Sequence, residues 1–263
     1  MPPLAALLFD VDGTLADTER AHLEAFNQAF RRADLPWHWS VPLYTDLLAV
    51  TGGKERIRHY IDQHPGAFRP PPDLDQFIAH LHREKTRVYV ELTEHGRLGL
   101  RPGVARLLAE ARAAGVRLAI ATTTTPANVT ALLESALGQG ATAWFDYIGA
   151  GDVVPRKKPA PDIYHHVLER LALDPAACLA FEDSEGGLRS ARAAGLTTVV
   201  TVNDFTRRHD FSGAALVLDQ LGEPDQPFTV LAGDAGSHRY VDLALLREVH
   251  ARAAHERGQE ARA

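Results

Sequence analysis

The stretch that decides the fold is Ala5-Ala6-Leu7-Leu8-Phe9-Asp10-Val11-Asp12-Gly13-Thr14, close to the N-terminus. Its first half is short and wholly apolar, which suits a strand buried on both faces of a parallel sheet. The run then stops at two acids. Asp10 falls at the carboxyl end of that strand, the edge where open α/β sheets bind ligands, and Asp12 follows with Gly13 free to turn. Two like charges in so small a volume are costly unless a cation lies between them or one of them keeps its proton. A hard cation such as Mg²⁺ takes oxygen ligands and is commonly held by one or two carboxylates, several waters and a substrate phosphate. A carboxylate can also attack phosphorus, while a second one donates and later accepts a proton. Taken alone, Asp-x-Asp-Gly is equally compatible with a turn whose acids cap backbone amides. A calcium loop fits poorly: counted from Asp10, the sixth position is Leu15 rather than glycine and the twelfth is Ala21 rather than glutamate.

Beyond this stretch the period changes. His22, Ala25, Phe26, Ala29, Phe30 and Ala33 recur at helical steps, and Leu35-Pro36-Trp37 ends that helix. A second helical piece is expected over residues 43–50, Thr51-Gly52-Gly53 breaks it, and Lys54 opens a third. Pro70-Pro71-Pro72 marks a loop, after which Leu74, Phe77, Ile78, Leu81, Val88 and Leu92 form the apolar stripe of a long helix. Residues 19–96 thus read as an all-helical insertion, placed where a lid would cover Asp10.

From Arg101-Pro102-Gly103 onward helix and strand alternate. Strands are expected over 116–121, 147–150, 178–181 and 197–202, with helices over 104–114, 126–137, 161–171 and 185–194. Such alternation means right-handed βαβ units in an α/β fold with a doubly wound parallel sheet. The expected domains are an α/β catalytic core of residues 1–18 and 97–221, a helical cap of 19–96, and a C-terminal extension of 222–263 packed on the core. In the extension only a helix over 241–254 is legible, and the end from Gly258 is expected to fray.

Composition narrows the class. The chain has 263 residues, 45% of them apolar and 24% charged, enough for a substantial core and a smaller second domain. No apolar run approaches the roughly 20 residues that cross a bilayer. Met1-Pro2-Pro3 carries no basic region, so no cleaved signal and a cytoplasmic location are expected. A net charge of −6 gives no general affinity for nucleic acid, and neither nucleic acid nor membrane is expected as a partner. Cys178, the only cysteine, lies in an apolar run and reads as a core thiol.

Three strands end in polar residues on one edge: Asp10 and Asp12, Thr122 to Thr125, and Glu182 with Asp183. Thr favours strands in any case, but beside the acids its hydroxyls become donors for phosphate oxygens. Glu182-Asp183 adds the further carboxylates that a Mg²⁺ site needs. Arg156-Lys157-Lys158-Pro159 reads as a solvated surface run, or as the source of a lysine that neutralises Asp10 and a transferring phosphoryl group.

Asp10-Val11-Asp12-Gly13-Thr14, Thr122, Lys158-Pro159 and Glu182-Asp183-Ser184 resemble, in order, the four signature motifs of the haloacid dehalogenase superfamily. The resemblance covers residues 5 to about 215. It implies that Asp10 is the nucleophile, that Asp12 is the general acid and base, and that Thr122 and Lys158 hold the phosphoryl group. By the same resemblance Asp183 and Asp10 bind Mg²⁺, joined by the Asp12 backbone carbonyl, with Glu182 an outer or water-mediated ligand.

Finer features resemble the CbbY-type sugar-bisphosphate phosphatases: Asp17-Thr18-Glu19, His22, Tyr44, Thr51-Gly52-Gly53-Lys54-Glu55-Arg56-Ile57, His82 with Lys85, Thr122-Thr123-Thr124 and Asn128. This resemblance implies xylulose-1,5-bisphosphate, a ribulose bisphosphate carboxylase inhibitor, as the substrate of a monomer, with Glu19, His22, Tyr44, Gly52, Gly53, Lys54, Arg56, His82, Lys85, Thr123 and Asn128 in the substrate site. The residues agree as far as they go, since two glycines opening a helix that carries Lys54 and Arg56 make an anion site remote from Asp10. β-Phosphoglucomutase shares the fold and both Asp residues, and spacing alone does not exclude it. A phospho-accepting receiver domain is the alternative from another class; the inserted cap and the early Asp-x-Asp argue against it.

Overall fold

The computed structural model describes residues 2–64, 69, 71–94 and 98–260. Strand β1 (Ala6–Phe9) is followed by four helices, α1 (Glu19–Arg32), α2 (Val41–Leu47), α3 (Gly53–Gln63) and α4 (Leu74–Glu94). Then come α5 (Val104–Ala113), β2 (Arg117–Ala121), α6 (Pro126–Leu137), β3 (Tyr147–Gly149) and α7 (Asp162–Leu171). The chain continues through β4 (Cys178–Glu182), α8 (Glu185–Ala193), β5 (Thr197–Thr201), β6 (Leu216–Leu218), β7 (Val230–Gly233) and α9 (Leu243–Glu260).

The strands form one seven-stranded sheet in the order β3-β2-β1-β4-β5-β6-β7, parallel except for the last pair. The apolar run that opens the chain is the middle of it. Leu7 pairs with Leu118 on one side and Leu179 on the other, and Phe9 stacks on Phe181 with ring centroids 4.5 Å apart. Being buried on both faces, β1 has no polar position until the strand ends at Asp10. From β1 the chain moves outward to β2 and β3, then crosses back to β4 on the other flank. The reversal falls between β1 and β4, where such a sheet opens a crevice at its carboxyl edge.

Helices α1 to α4 pack around their own apolar cluster, in which Phe26, Phe30, Trp39, Tyr44 and Ile57 are almost wholly buried. The core has its own clusters on the two sheet faces, one around Phe9, Leu118 and Leu179 and one around Leu8, Tyr164 and Val167. The loop reading at Pro70 and the join between helical segment and core near residue 96 lie outside the described residues.

Two features differ from the sequence-based expectation. The sheet extends by β6 and β7, which pair antiparallel with an irregularity between Val217 and Leu218. At three and four residues they carry too little pattern to be read. The C-terminal helix also starts later and runs further than expected, from Leu243 through Gly258 to Glu260 instead of fraying at Gly258. It buries Leu245, Leu246 and Val249 in the cluster that holds Leu7 and Phe9.

Candidate active site

The sheet gathers its strand ends at one cavity of about 210 Å³, walled by the helical segment opposite. Asp10 is pinned by its backbone amide, which donates to Phe181 O at 3.0 Å, so β4 as well as β1 positions it. Its Oδ1 accepts from Lys158 Nζ at 2.8 Å, and the same ammonium donates to Glu182 Oε1 at 2.6 Å. Tyr164 from α7 also donates to Glu182 Oε1. Asp183 Oδ2 accepts from Asn203 Nδ2 at 2.6 Å, just past β5. Gly13 faces that bond in a left-handed turn (φ 79°), and a Cβ there would come within 2.2 Å of Asp183 Oδ2, so no side chain fits.

Asp10, Glu182 and Asp183 each place a carboxylate oxygen within 4.8 Å of the others. Burial raises the pKa of all three, Lys158 works against the rise at Asp10 and Glu182, and their mutual repulsion adds to it. Three buried carboxylates face one ammonium, and Glu182 Oε2 is buried without a hydrogen-bond partner. An all-oxygen donor set with an unpartnered buried carboxylate oxygen fits a hard divalent cation. The Asp12 carboxylate is not part of the cluster.

Asp12 turns instead to the helical segment. Its Oδ1 accepts from Thr18 Oγ1 at 2.7 Å and from His22 Nε2 at 2.9 Å. Burial opposes ionisation of Asp12, but the electrostatic pull of His22 and the hydrogen bonds from His22 and Thr18 outweigh it and hold the carboxyl well below the usual range. Behind His22, the buried Lys85 donates to Nδ1 at 2.7 Å, which assigns the imidazole proton to Nε2, and Tyr89 stacks on the ring at 4.2 Å. Burial brings the Lys85 ammonium down to about 8.

The other expected residues fall as follows. Thr122, Thr123 and Asn128 line the cavity with Thr124, whose Oγ1 accepts from Asn128 Nδ2 at 2.9 Å. Glu19, Gly52, Gly53, Lys54, Arg56 and His82 line it from the helical side. Burial holds His82 neutral, at about 3. Tyr44 does not line the cavity: it is fully buried, donates to Glu19 Oε2 at 2.7 Å and accepts from Arg56 Nη1 at 3.1 Å. Arg56 also donates to Leu47 O and Val50 O, so much of its guanidinium closes the end of α2. Lys54 reaches across to Asp152 at 2.5 Å, and Lys157 donates to the other oxygen of that carboxylate at 2.7 Å.

Several residues of the site escaped the sequence reading. Asn203 was accessible to it, being a polar residue just past a buried parallel strand, like Asp10 and Thr122. Thr18 was read only within Asp17-Thr18-Glu19 and given no role of its own, and Tyr164 gave no signal, because an apolar-face Tyr has ordinary structural uses. Arg101 was read only as a boundary; buried, it donates to Gly13 O, Thr201 O, Val202 O and Asp219 O, and so ties the loop of β1 to the ends of β5 and β6.

A buried carboxylate at the central strand end, a lysine on it, two further acids and an inserted helical wall together define a hydrolase architecture, and the family comparison agrees. Residues 4–195 match the model of the haloacid dehalogenase-like hydrolases, and the chain belongs to that family. Protein CbbY of Cupriavidus necator is 52% identical over 247 residues, covering 94% of this chain and 97% of that protein. The crystal structure of CbbY from Rhodobacter sphaeroides in complex with phosphate has a TM-score of 0.78 at 46% identity, covering 82% of this chain and 94% of that one. A mutant of that CbbY, solved in complex with xylulose-(1,5)bisphosphate, is similar to the same degree.

Proposed function

We propose that this chain is a Mg²⁺-dependent phosphatase of a small sugar bisphosphate, converting xylulose-1,5-bisphosphate to xylulose-5-phosphate through an aspartyl phosphate on Asp10. The observation that carries the reading is the buried Asp10 carboxylate, which shares the Lys158 ammonium with Glu182 and lies in one cluster with Glu182 and Asp183. The xylulose bisphosphate complex of the similar CbbY supports the choice of substrate. Residues 1–18 and 97–221 form the catalytic core in this reading, and 19–96 the cap.

Asp10, Glu182 and Asp183 would hold Mg²⁺, with the Asp12 backbone carbonyl. When bound, the cation supplies the positive charge that keeps these acids ionised and offsets charge on the phosphoryl oxygens. Asp10 Oδ attacks phosphorus, and Thr122 and Lys158 orient and neutralise the group in flight. The leaving alkoxide takes its proton from Asp12. That carboxyl is ionised before substrate binds; the arrival of an anionic phosphate beside it raises its pKa, and it takes up from solvent the proton that it then passes to the alkoxide. Thr18 and His22 hold Asp12 for the second step, in which it takes a proton from the water that cleaves the acyl phosphate. The second phosphate binds at Lys54 and Arg56, by the opening of α3.

The test is phosphate release from a panel of sugar phosphates and bisphosphates, with Mg²⁺ and with chelator, beside an assay for glucose phosphate isomerisation. Release from the bisphosphate alone, abolished by chelator, is expected. Isomerisation would make the chain a mutase, and no turnover of any ester would favour a phospho-accepting switch.

A further inference from the structure

The loop after β5 carries two neighbouring residues with contacts on opposite sides of the cavity. Asn203 donates to Asp183, while its Oδ1 accepts the Phe205 amide at 2.9 Å and its own amide donates to Thr206 Oγ1 at 3.1 Å. The turn so closed directs Phe205 into the aromatic cluster of the cap. Among the described residues, Phe205 is the only hydrophobic one from outside residues 19–96 packed on that cluster. Its ring stands edge-on to Tyr44, centroids 6.3 Å apart and planes at 89°, with the Arg20 guanidinium 6.0 Å over it. Tyr44 in turn bonds Glu19 and Arg56, which line the cavity.

A continuous chain of contacts therefore runs from the acid cluster through Asn203, Phe205 and Tyr44 to the cap wall. We propose that Phe205 is a positioning residue that sets the cap in register with the acid cluster, seating Tyr44 and through it Glu19 and Arg56 for a substrate that spans the cleft. This rests on the phosphatase reading and deepens it. Two features make the contact directional. An edge-to-face ring pair constrains the orientation of Tyr44 as an aliphatic side chain does not. Asn203 has little freedom to absorb a shift of Asp183, since the space above Gly13 is filled: a Cβ there would lie 2.5 Å from Asn203 Nδ2. A cation that moves Asp183 thus moves Phe205, and by linkage the cation and the sugar bisphosphate favour each other's binding.

The experiment compares wild type with Phe205→Ala, Phe205→Leu and Phe205→Tyr. Hydrolysis of xylulose-1,5-bisphosphate and of p-nitrophenyl phosphate gives one readout. Calorimetric Mg²⁺ binding and tryptophan fluorescence during the Mg²⁺ titration, with Trp37 and Trp39 in the same cluster as Tyr44, give two others. Phe205→Ala and Phe205→Leu should lose about ten-fold or more in kcat/KM on the bisphosphate and about two-fold or less on the small ester, while Phe205→Tyr keeps the wild-type ratio. Wild type should show a Mg²⁺-dependent fluorescence change that Phe205→Ala lacks, although the variant binds Mg²⁺ within about two-fold of wild type. Equal losses on both substrates, an unchanged ratio, no fluorescence change in wild type or an unaltered one in Phe205→Ala would each overturn the proposal. A wild type that neither binds Mg²⁺ nor hydrolyses either ester would instead sink the phosphatase reading, and this inference with it.

Discussion

Asp10 and Asp12 are two residues apart, and their surroundings push them in opposite directions. Burial among other acids raises Asp10, so in the proposed reaction it needs the ammonium of Lys158 and a further positive charge to act as a nucleophile. Asp12 already has its partners, hydrogen bonds from Thr18 and His22 with the Lys85 ammonium behind His22. Asp12→Asn should therefore cost at least ~10²-fold in steady-state hydrolysis of a sugar ester, as loss of general acid catalysis does. A p-nitrophenyl phosphate burst, which needs no proton on its leaving group, should survive; a burst lost to the same degree would remove Asp12 from the acid role. Lys85 gives a second test. Its folded pKa lies below the free value of 10.5, so its charge is a penalty present throughout below about pH 8 and relieved as pH rises from 8 towards 10.5. Stability gains over that window, yet His22 Nδ1 loses its charged donor. Turnover should fall above pH 8, and Lys85→Arg, which keeps its proton, should move that limb upward by a unit or more. A limb left at pH 8 in the variant would assign it to another group. Arg56 shows where residue-level reasoning stops: the sequence marked it as an anion ligand, while the structure also has it holding the end of α2 through Leu47 O and Val50 O. Backbone acceptors leave no trace in a side-chain pattern.

At the scale of elements, legibility followed length and burial. Strands β1 and β4 were readable because they are apolar throughout and stop at acids, and the helices of the cap because their apolar stripes repeat at helical steps. Strands β6 and β7 were not: β6 is only three residues long, and the edge strand β7 is exposed along its whole length and draws its place from pairing alone. Polar residues at strand ends announced Asp10, Thr122, Glu182 and Asp183. Asn203 obeys the same rule, but asparagine is so common in loops that its signal is weak. Helix α8 adds a constraint visible only in three dimensions. A Cβ on Gly187 would lie 1.9 Å from Glu182 Oε2, the unpartnered oxygen of the acid cluster. Gly187→Ala should displace that carboxylate and weaken Mg²⁺ binding about ten-fold or more, as loss of a well-oriented ligand or its support does. Calorimetric titration of metal into the variant checks this, and wild-type affinity would take Glu182 out of the site.

The whole molecule is a sheet carrying chemistry at one edge, a helical cap above that edge and a tail that completes the core from behind. Polar links between the cap and the core include His22 with Asp12 and Lys54 with Asp152. The second of these is solvent-exposed and adds little to stability, ~1 kcal/mol at most. The tail is different in kind. Glu223 accepts from Arg106 Nε at 2.8 Å, and α9 buries Leu246 completely. Leu246→Ala should lower unfolding free energy by ~2–5 kcal/mol, as core truncations of this size do, with kcat unchanged at 25 °C. Urea denaturation followed by far-UV circular dichroism measures it, and a loss below ~1 kcal/mol would mean that α9 packs loosely on the core. From the sequence the tail read as an extension packed on the core, with one legible helix and a frayed end; the fold adds that its apolar residues join the cluster of Leu7 and Phe9.

All of this turns on Asp10 as the group that takes the phosphoryl from the sugar. The direct measurement is the rate of phosphate release from xylulose-1,5-bisphosphate with Mg²⁺ by wild type and by Asp10→Asn, whose amide keeps the volume of the carboxylate but neither attacks phosphorus nor carries its charge. The account predicts release by wild type and none by the variant above background, with circular dichroism and melting temperature showing the variant folded. A folded Asp10→Asn that keeps even about a tenth of wild-type turnover would contradict covalent catalysis at this residue.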